Sequence, residues 1–177
     1  MTDHAQEIIA GLDPTIQESI QKVISTCLEQ GLMIVPYCGY RSVLDEMKLW
    51  RQSRSTDEIE QQIDKLQTAN CTYLADLLQQ AGAQNGPHVT NTIGGFSWHN
   101  WKQAVDCYVQ GDDGNPIWDA SNPGYQTYGD IAKSLGYTWG GDFTTFKDAT
   151  HIQFNAGEID NLYSIKQVND IFQSNGW

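Results

Sequence analysis

Basic residues are scarce in this chain of 177 residues, where 10 Lys and Arg stand against 22 Asp and Glu to give a net charge of −12 at pH 7. Such a surface repels the phosphates of nucleic acids, so we expect no nucleic-acid partner. The same charge disfavours electrostatic docking on an anionic membrane, and we expect no membrane partner. The acidic balance remains compatible with a compact peptide substrate held in a local pocket.

Long apolar runs are absent as well. No segment approaches the roughly 18 apolar residues that a membrane-spanning helix needs. The opening MTDHAQEIIAGLD has neither the basic start nor the continuous apolar stretch of a secretion signal. We therefore expect a soluble protein made in the cytoplasm without a signal peptide. Any action outside the cell then requires release or a specialised export route.

Cysteine is infrequent and never occurs in CxxC spacing; the four cysteines are Cys27, Cys38, Cys71 and Cys107. This spacing excludes a cysteine-rich zinc knuckle, so a metal site here must use histidine and carboxylate. In a chain without a secretion signal, buried reduced thiols are the simpler interpretation, and a disulfide framework is the alternative.

Apolar residues are plentiful enough for a hydrophobic core, since they make up 40% of the chain and include six Trp, eight Tyr and five Phe. This composition excludes a disordered tail protein. A chain of this length has room for one domain, and we expect a single domain over residues 1–177.

Helix signals occur in the first half of the sequence. Asp13-Pro14 is typical of an N-cap followed by proline in the first helical turn. Apolar residues then recur at helical spacing, and Gly31 ends the predicted helix. Ser55–Glu58 has the spacing of a capping box. It predicts a helical insertion at about 55–85.

Strand signals flank that insertion. The segment 32–38 is apolar and extended, but Pro36 confines it to a sheet edge or ends the strand early. The segment 104–109 is apolar apart from one aspartate, and 151–154 alternates with a period of two. The sequence thus predicts an α+β fold with a small antiparallel sheet flanked by helices.

Only four histidines are present: His4, His88, His99 and His151. His4 falls in a terminus that we expect to be frayed, and His88 in a Gly-Pro loop, so both are expected to be solvated. The other two have carboxylates at usable spacing. Asp106 follows His99 by seven residues, and Asp148 precedes His151 by three.

These residue types match the needs of hydrolytic zinc. Such a zinc ion takes three ligands from His and Asp or Glu and leaves a position for water, while a further carboxylate accepts the water proton. His99, Asp106 and His151 would be the ligands and Asp148 the base. On spacing alone, histidines satisfied in the core or at the surface remain the alternative.

Five segments occur in a specific order: GYRS at 39–42, LWRQSR at 49–54, SWHNWKQAVD at 97–106, WGGDF at 139–143 and DATHIQ at 148–153. The series resembles the zinc peptidase superfamily of D-alanyl-D-alanine carboxypeptidases, D-Ala-D-Ala dipeptidases and phage L-alanyl-D-glutamate endolysins. Its signature is SxHxxGxAxD followed by DxxH or ExxH. The helical insertion and the WGGDF segment most resemble the L-alanyl-D-glutamate endopeptidase branch.

The resemblance implies a Hedgehog/D-Ala-D-Ala-peptidase-like fold and a Zn2+ cofactor. It implies that His99, Asp106 and His151 are the zinc ligands and that Asp148 is the general base. Arg41 corresponds to an arginine that can stabilise the oxyanion, which suits a fixed guanidinium fork. For Arg41 taken alone, a structural salt bridge is the alternative.

The resemblance further implies that the substrate is the stem peptide of peptidoglycan, cut between L-Ala and D-Glu. Two alternatives are a D-Ala-D-Ala carboxypeptidase and a non-catalytic, zinc-stabilised binding module. Either a phage lysin or a secreted bacterial effector fits the expected absence of a signal peptide. We expect a monomer that acts on the cell wall.

The chain departs from the family pattern at three places. Lys102 stands where the signature has glycine, Ala149-Thr150 where the branch often has Trp-Pro, and Glu46 where glutamine is common. None of these removes a ligand or the base. We therefore expect them to affect substrate fit and rate rather than metal binding.

Overall fold

The computed structural model describes residues 2–176, and within that range the chain forms seven α-helices and five short strands. The helices are α1 (Asp3–Ala10), α2 (Pro14–Glu29), α3 (Val43–Arg51), α4 (Thr56–Thr68), α5 (Thr72–Gln80), α6 (Pro123–Ser134) and α7 (Ile165–Asn175). The strands are β1 (Ile34–Cys38), β2 (Ala104–Gln110), β3 (Pro116–Ile117), β4 (Thr138–Trp139) and β5 (His151–Gln153). The α+β prediction is confirmed. Among the described residues, no helix is both long and apolar enough to cross a bilayer.

The described residues form two compact units, and the first comprises residues up to Tyr40 together with Trp101–Ala156. Its sheet has the order β1-β2-β5-β4, with every pair antiparallel, and β3 pairs with the far end of β2. The proline-containing strand β1 lies at the sheet edge, as predicted. Helices α2 and α6 contribute to the core against this sheet.

The helix α2 forms as its sequence predicts. Asp13 caps it by accepting a hydrogen bond from the Thr15 backbone N–H, and proline occupies its first turn. Its buried residues recur at helical spacing: Ile16, Ile20, Val23 and Cys27. Gly31 follows with φ of +75°, a conformation that suits glycine and ends the helix.

The alternation of β2 gives the sheet two different faces. Val105, Cys107 and Val109 belong to the hydrophobic core. Successive side chains of a strand point to opposite faces. Asp106 and Tyr108 therefore share the other face of the sheet, which is the face of the candidate site.

The second unit comprises Arg41–Asn100 and the segment from Gly157 onward, and it is helical. The predicted insertion at 55–85 corresponds to α4 and α5, and the capping box of Ser55 and Glu58 is confirmed. Leu74, at the start of α5, donates its backbone N–H to the buried Asn169 side chain of α7. The expectation of a single domain stays a prediction.

One prediction about the N-terminus is wrong. His4 does not lie in a frayed segment, because Thr2 accepts a hydrogen bond from the Ala5 backbone N–H and caps helix α1. The His4 ring is nevertheless exposed, at 3.7 Å from Glu7. His88 is exposed in a loop, as predicted, with its ring nitrogen Nδ1 2.9 Å from the Ser53 hydroxyl.

Candidate metal centre

Asp106 and His151 form the centre of the site in the first unit. They are direct partners in the antiparallel register of β2 and β5. Nδ1 of His151 lies 3.0 Å from Oδ1 of Asp106, and the two residues are only 8% and 5% exposed. Two ligands that bind one tetrahedral zinc ion at about 2.0–2.2 Å lie about 3.3 Å apart. The donor types and their separation therefore fit a single zinc ion.

Asp148 is the third member of this cluster. One of its carboxylate oxygens lies within 4.8 Å of the ligand atoms of both Asp106 and His151. Asp148 is less buried than they are, which leaves it more accessible to solvent. Its backbone N–H donates to the Gly140 carbonyl at 3.0 Å. A Cβ at Gly140 would lie 2.4 Å from the Asp148 carbonyl, so glycine is required for this approach.

Thr150 fixes the Asp148 carboxylate. The Thr150 backbone N–H and hydroxyl both donate to Oδ1 of Asp148, at 3.1 and 2.7 Å. The Tyr37 hydroxyl lies 3.1 Å from the Thr150 hydroxyl oxygen. Because the single Thr150 proton is directed to Asp148, Tyr37 must be the donor of this bond. Burial and the nearby Asp106 carboxylate raise the pKa of Tyr37, which keeps it protonated for that role.

Gln153 determines which nitrogen of His151 can face a metal. The Gln153 amide nitrogen donates to the Asn155 carbonyl at 3.0 Å, so its oxygen faces Nε2 of His151 at 3.2 Å. This arrangement assigns a proton to Nε2, so Nδ1 is the nitrogen that faces Asp106 and the one that a metal would bind in place of a proton. Burial opposes the charged form of His151, but the hydrogen bond and charge of Asp106 outweigh it, and the pKa of His151 is raised.

Cys38 occupies an unexpected place. It pairs with Asp106 across β1 and β2, so Cys38, Asp106 and His151 form one row across three strands. The Cys38 sulfur lies within 4.8 Å of an Asp106 carboxylate oxygen. All four cysteines are thiols in the structure. Because the cysteines lack CxxC spacing, the predicted metal site was limited to histidine and carboxylate, and no thiol was predicted at this place.

His99 and Arg41 lie in the second unit, where the backbone holds them together. The His99 carbonyl accepts a hydrogen bond from the Arg41 N–H at 3.2 Å, and the Asn100 side chain donates to the Arg41 carbonyl at 3.0 Å. His99 is buried. The Arg41 guanidinium is 2.7 Å from a carboxylate oxygen of Glu46, which is only 1% exposed. The salt bridge considered for Arg41 therefore exists, and its part in catalysis stays a prediction.

Lys102 stands where the motif that this sequence resembles has glycine, and its backbone conformation suits that glycine. Its φ is +61°, in the left-handed region that ordinary side chains avoid. Its carbonyl accepts a hydrogen bond from the Asp13 backbone N–H at 2.9 Å. Its ammonium group lies 5.1 Å from the centre of the Tyr40 ring. This chain therefore keeps the backbone turn without the glycine.

Comparison with known proteins identifies a family model and a relative that are similar to this chain. The sequence model of the family described as D-alanyl-D-alanine carboxypeptidase matches residues 90–154, a segment that contains His99, Asp106, Asp148 and His151. The peptidoglycan L-alanyl-D-glutamate endopeptidase CwlK of Bacillus subtilis is 28% identical over 149 residues, which are 80% of this chain and 72% of CwlK.

Two solved structures are also similar. The L-Ala D-Glu endopeptidase ChiX of Serratia marcescens has 18% identity and a TM-score of 0.48, and the match covers 88% of this chain and 89% of ChiX. The second is a mutant of the vancomycin-resistance D,D-pentapeptidase VanY in complex with Zn(II). It has 15% identity and a TM-score of 0.48, and the match covers 92% of this chain and 78% of the VanY chain. By the family match over residues 90–154 and the CwlK relative, the chain is similar to the D-alanyl-D-alanine carboxypeptidase family and to a peptidoglycan endopeptidase.

Proposed function

We propose that this chain is a zinc-dependent peptidoglycan hydrolase that cleaves the stem peptide between L-Ala and D-Glu. The observation that carries the proposal is the cluster of Asp106, His151 and Asp148, in which a ligand pair and an additional carboxylate lie within 4.8 Å of one another. The named activity of the CwlK relative supports the choice of bond. His99 completes the proposed ligand set on the strength of the sequence motif.

Zinc, when bound, supplies a Lewis acid that polarises the substrate carbonyl and lowers the pKa of a water molecule. Asp148 accepts the proton of the attacking water and passes it to the leaving amine. Thr150 holds one Asp148 oxygen by two hydrogen bonds, which leaves the other oxygen for this proton. Arg41 stabilises the negative charge that develops on the carbonyl oxygen. Its pairing with Glu46 fixes its orientation.

The test is digestion of purified muropeptides by the zinc-loaded chain, with and without a chelator, followed by mass spectrometry. We expect a new amino-terminal D-Glu, which the chelator abolishes. Asp148→Ala should retain zinc but not cleave. The matched control is Asp142→Ala, which removes an exposed carboxylate that pairs with Lys133 outside the cluster. Cleavage by Asp148→Ala at the wild-type rate would rule out the proposed base.

A second candidate, D-Ala-D-Ala carboxypeptidase activity, is favoured by the description of the matching family. The same digestion separates the two, because the carboxypeptidase releases free D-Ala and leaves the L-Ala–D-Glu bond intact. A non-catalytic zinc module would release neither product. Lysis of bacterial walls by the wild type, but not by Asp148→Ala, would support a role as an endolysin or secreted bacteriolytic effector.

A further inference from the structure

Three aromatic rings cluster on the surface of the first unit. We call Tyr37, Tyr108 and Trp118 the aromatic platform. The Trp118 ring centre lies 5.2 Å from that of Tyr37, with the rings perpendicular, and 5.5 Å from that of Tyr108. Trp118 is 58% exposed despite these contacts. An exposed tryptophan that two tyrosines hold in place is typical of a binding surface, because its large apolar ring gains nothing from solvent.

The platform shares the sheet face of the candidate metal centre. Asp106 and Tyr108 are separated on β2 by Cys107, which points into the core. The two outer residues therefore project from the same face. Two residues along a strand correspond to about 7 Å. The platform thus begins about one substrate unit away from the metal ligand Asp106.

The strand β3 fixes Trp118 beside Tyr108. Ile117 pairs with Val109 in the antiparallel register, and one further step of that register places Trp118 opposite Tyr108. The Tyr125 hydroxyl donates a 2.6 Å hydrogen bond to the Ile117 carbonyl and anchors β3 from the core side. The tryptophan is therefore held by a defined backbone rather than by a mobile loop.

The platform also contacts the support of the proposed base. The Tyr37 hydroxyl donates to Thr150, whose hydroxyl donates to Asp148. A molecule that packs against the platform therefore lies beside the residues that hold Asp148. The platform is continuous with the candidate site and is not a separate patch.

The polar surroundings indicate the chemistry of the occupant. Asp119, which follows Trp118 in the sequence, accepts hydrogen bonds from the Ser121 hydroxyl and backbone N–H, and these lower the pKa of Asp119. The exposed Trp118 ring can pack against C–H bonds, and an ionised carboxylate one residue along the chain can accept hydrogen bonds from hydroxyl groups. A pyranose ring offers both. The acidic surface disfavours a polyanionic occupant.

We propose that the aromatic platform is a subsite for an N-acetylated hexopyranose ring of the peptidoglycan glycan strand, an inference that rests on the proposed function. When the stem peptide is cut after L-Ala, one alanine and one lactyl unit separate the scissile carbonyl from the sugar ring. Two such units span about 7 Å when extended. This length matches the spacing of Asp106 and Tyr108, so a substrate bound at the metal reaches the platform with its sugar.

The test compares two substrates of the zinc-loaded full chain: a disaccharide-tetrapeptide and the same tetrapeptide with an acetyl group in place of the sugar. The measured quantity is the kcat/KM of the disaccharide-tetrapeptide divided by the kcat/KM of the acetylated tetrapeptide. We expect Trp118→Ala to lower this ratio about tenfold, because the variant loses one aromatic packing contact with the sugar. Trp118→Phe should largely restore it. Leu28→Ala, which removes an apolar side chain that is 59% exposed on α2, should leave the ratio at the wild-type value.

An unchanged ratio in Trp118→Ala, whether both rates persist or both fall together, would overturn the inference and leave the proposed function standing. If the wild type cleaves neither substrate, the proposed function fails, and calorimetric titration with chitotetraose decides the inference. Binding that Trp118→Ala loses would support the subsite, and no binding by the wild type would overturn it. A dimer in sedimentation that Trp118→Ala dissociates would assign the platform to self-association and also overturn it.

Discussion

Thr150 holds one carboxylate oxygen of Asp148 through two hydrogen bonds, from its hydroxyl at 2.7 Å and its backbone N–H at 3.1 Å. Thr150→Val keeps the shape of the side chain and the backbone bond but removes the hydroxyl. Because a hydrogen bond to a charged group contributes about 1.5–3 kcal/mol, we expect kcat to fall at least about tenfold.

Zinc content distinguishes this positioning role from a general loss of structure. Thr150→Val should bind zinc with wild-type affinity, whereas Thr150→Ser, which keeps the hydroxyl, should retain most of the activity. Steady-state kinetics and metal titration measure the two effects. A kcat equal to that of the wild type in Thr150→Val would show that Asp148 needs no such support.

Gln153 should control metal affinity rather than turnover. It holds Nε2 of His151 and so directs the other ring nitrogen toward Asp106. Loss of a partner behind a histidine ligand lowers metal affinity about 10- to 100-fold. We expect Gln153→Leu to show such a loss in chelator competition, while Gln153→Glu, which keeps an acceptor oxygen, should retain most of the affinity. Equal affinities of the wild type and Gln153→Leu would contradict this assignment.

The identity of the third zinc ligand can be decided by a pair of variants. The sequence motif predicts His99, while the sheet register places the Cys38 thiol opposite Asp106. If His99 is the ligand, His99→Ala should lose more than the roughly 100-fold affinity that loss of a partner behind a ligand causes. Cobalt-loaded wild type should then lack thiolate charge-transfer absorption. A thiolate band that disappears in Cys38→Ser would instead assign the sulfur as a ligand.

Local spacing predicted where two residues of the candidate site lie. The alternation at 151–154 placed His151 on a strand, and the DxxH spacing placed Asp148 next to it, which the structure confirms. The capping box of Ser55 also predicted the start of α4 correctly. These signals are local, because a cap or a strand period is contained within a few residues.

The supporting residues escaped prediction because their partners are distant in sequence. Thr150 was noticed only as a departure from the family pattern, and its neighbour Tyr37 is 113 residues away. Trp118 gave no signal of its own, since only the pairing of β3 with β2 brings it to Tyr108. Helix α1 was missed because its cap, Thr2, lies at the extreme terminus where fraying is the usual expectation.

Arg41 has two proposed roles that a double variant can separate. Arg41→Met leaves Glu46 buried without its cation, so we expect the free energy of unfolding to fall by about 3–5 kcal/mol. Adding Glu46→Gln removes the uncompensated charge and should recover most of that stability in urea denaturation. If Arg41 also stabilises the oxyanion, the double variant should remain inactive although it is stable. Recovered activity would leave Arg41 with a structural role alone.

Lys102 allows the backbone requirement of the family glycine to be measured. The left-handed conformation costs a residue with a Cβ about 1–2 kcal/mol, and glycine avoids that cost but loses more entropy on folding. Lys102→Gly and Lys102→Ala both remove the ammonium group near Tyr40, so their difference reports the backbone alone. We expect the glycine variant to be more stable than the alanine variant by about 1 kcal/mol in urea denaturation.

An exposed lysine in a helix supplies a control at which the stability difference between the glycine and alanine variants should have the opposite sign. Lys22 lies on α2, where glycine is less stable than alanine by about 1 kcal/mol. Lys22→Gly should therefore be less stable than Lys22→Ala, while the order is reversed at Lys102. If alanine is preferred at both positions, the turn after His99 does not require a left-handed residue, and the glycine of the family signature needs another explanation.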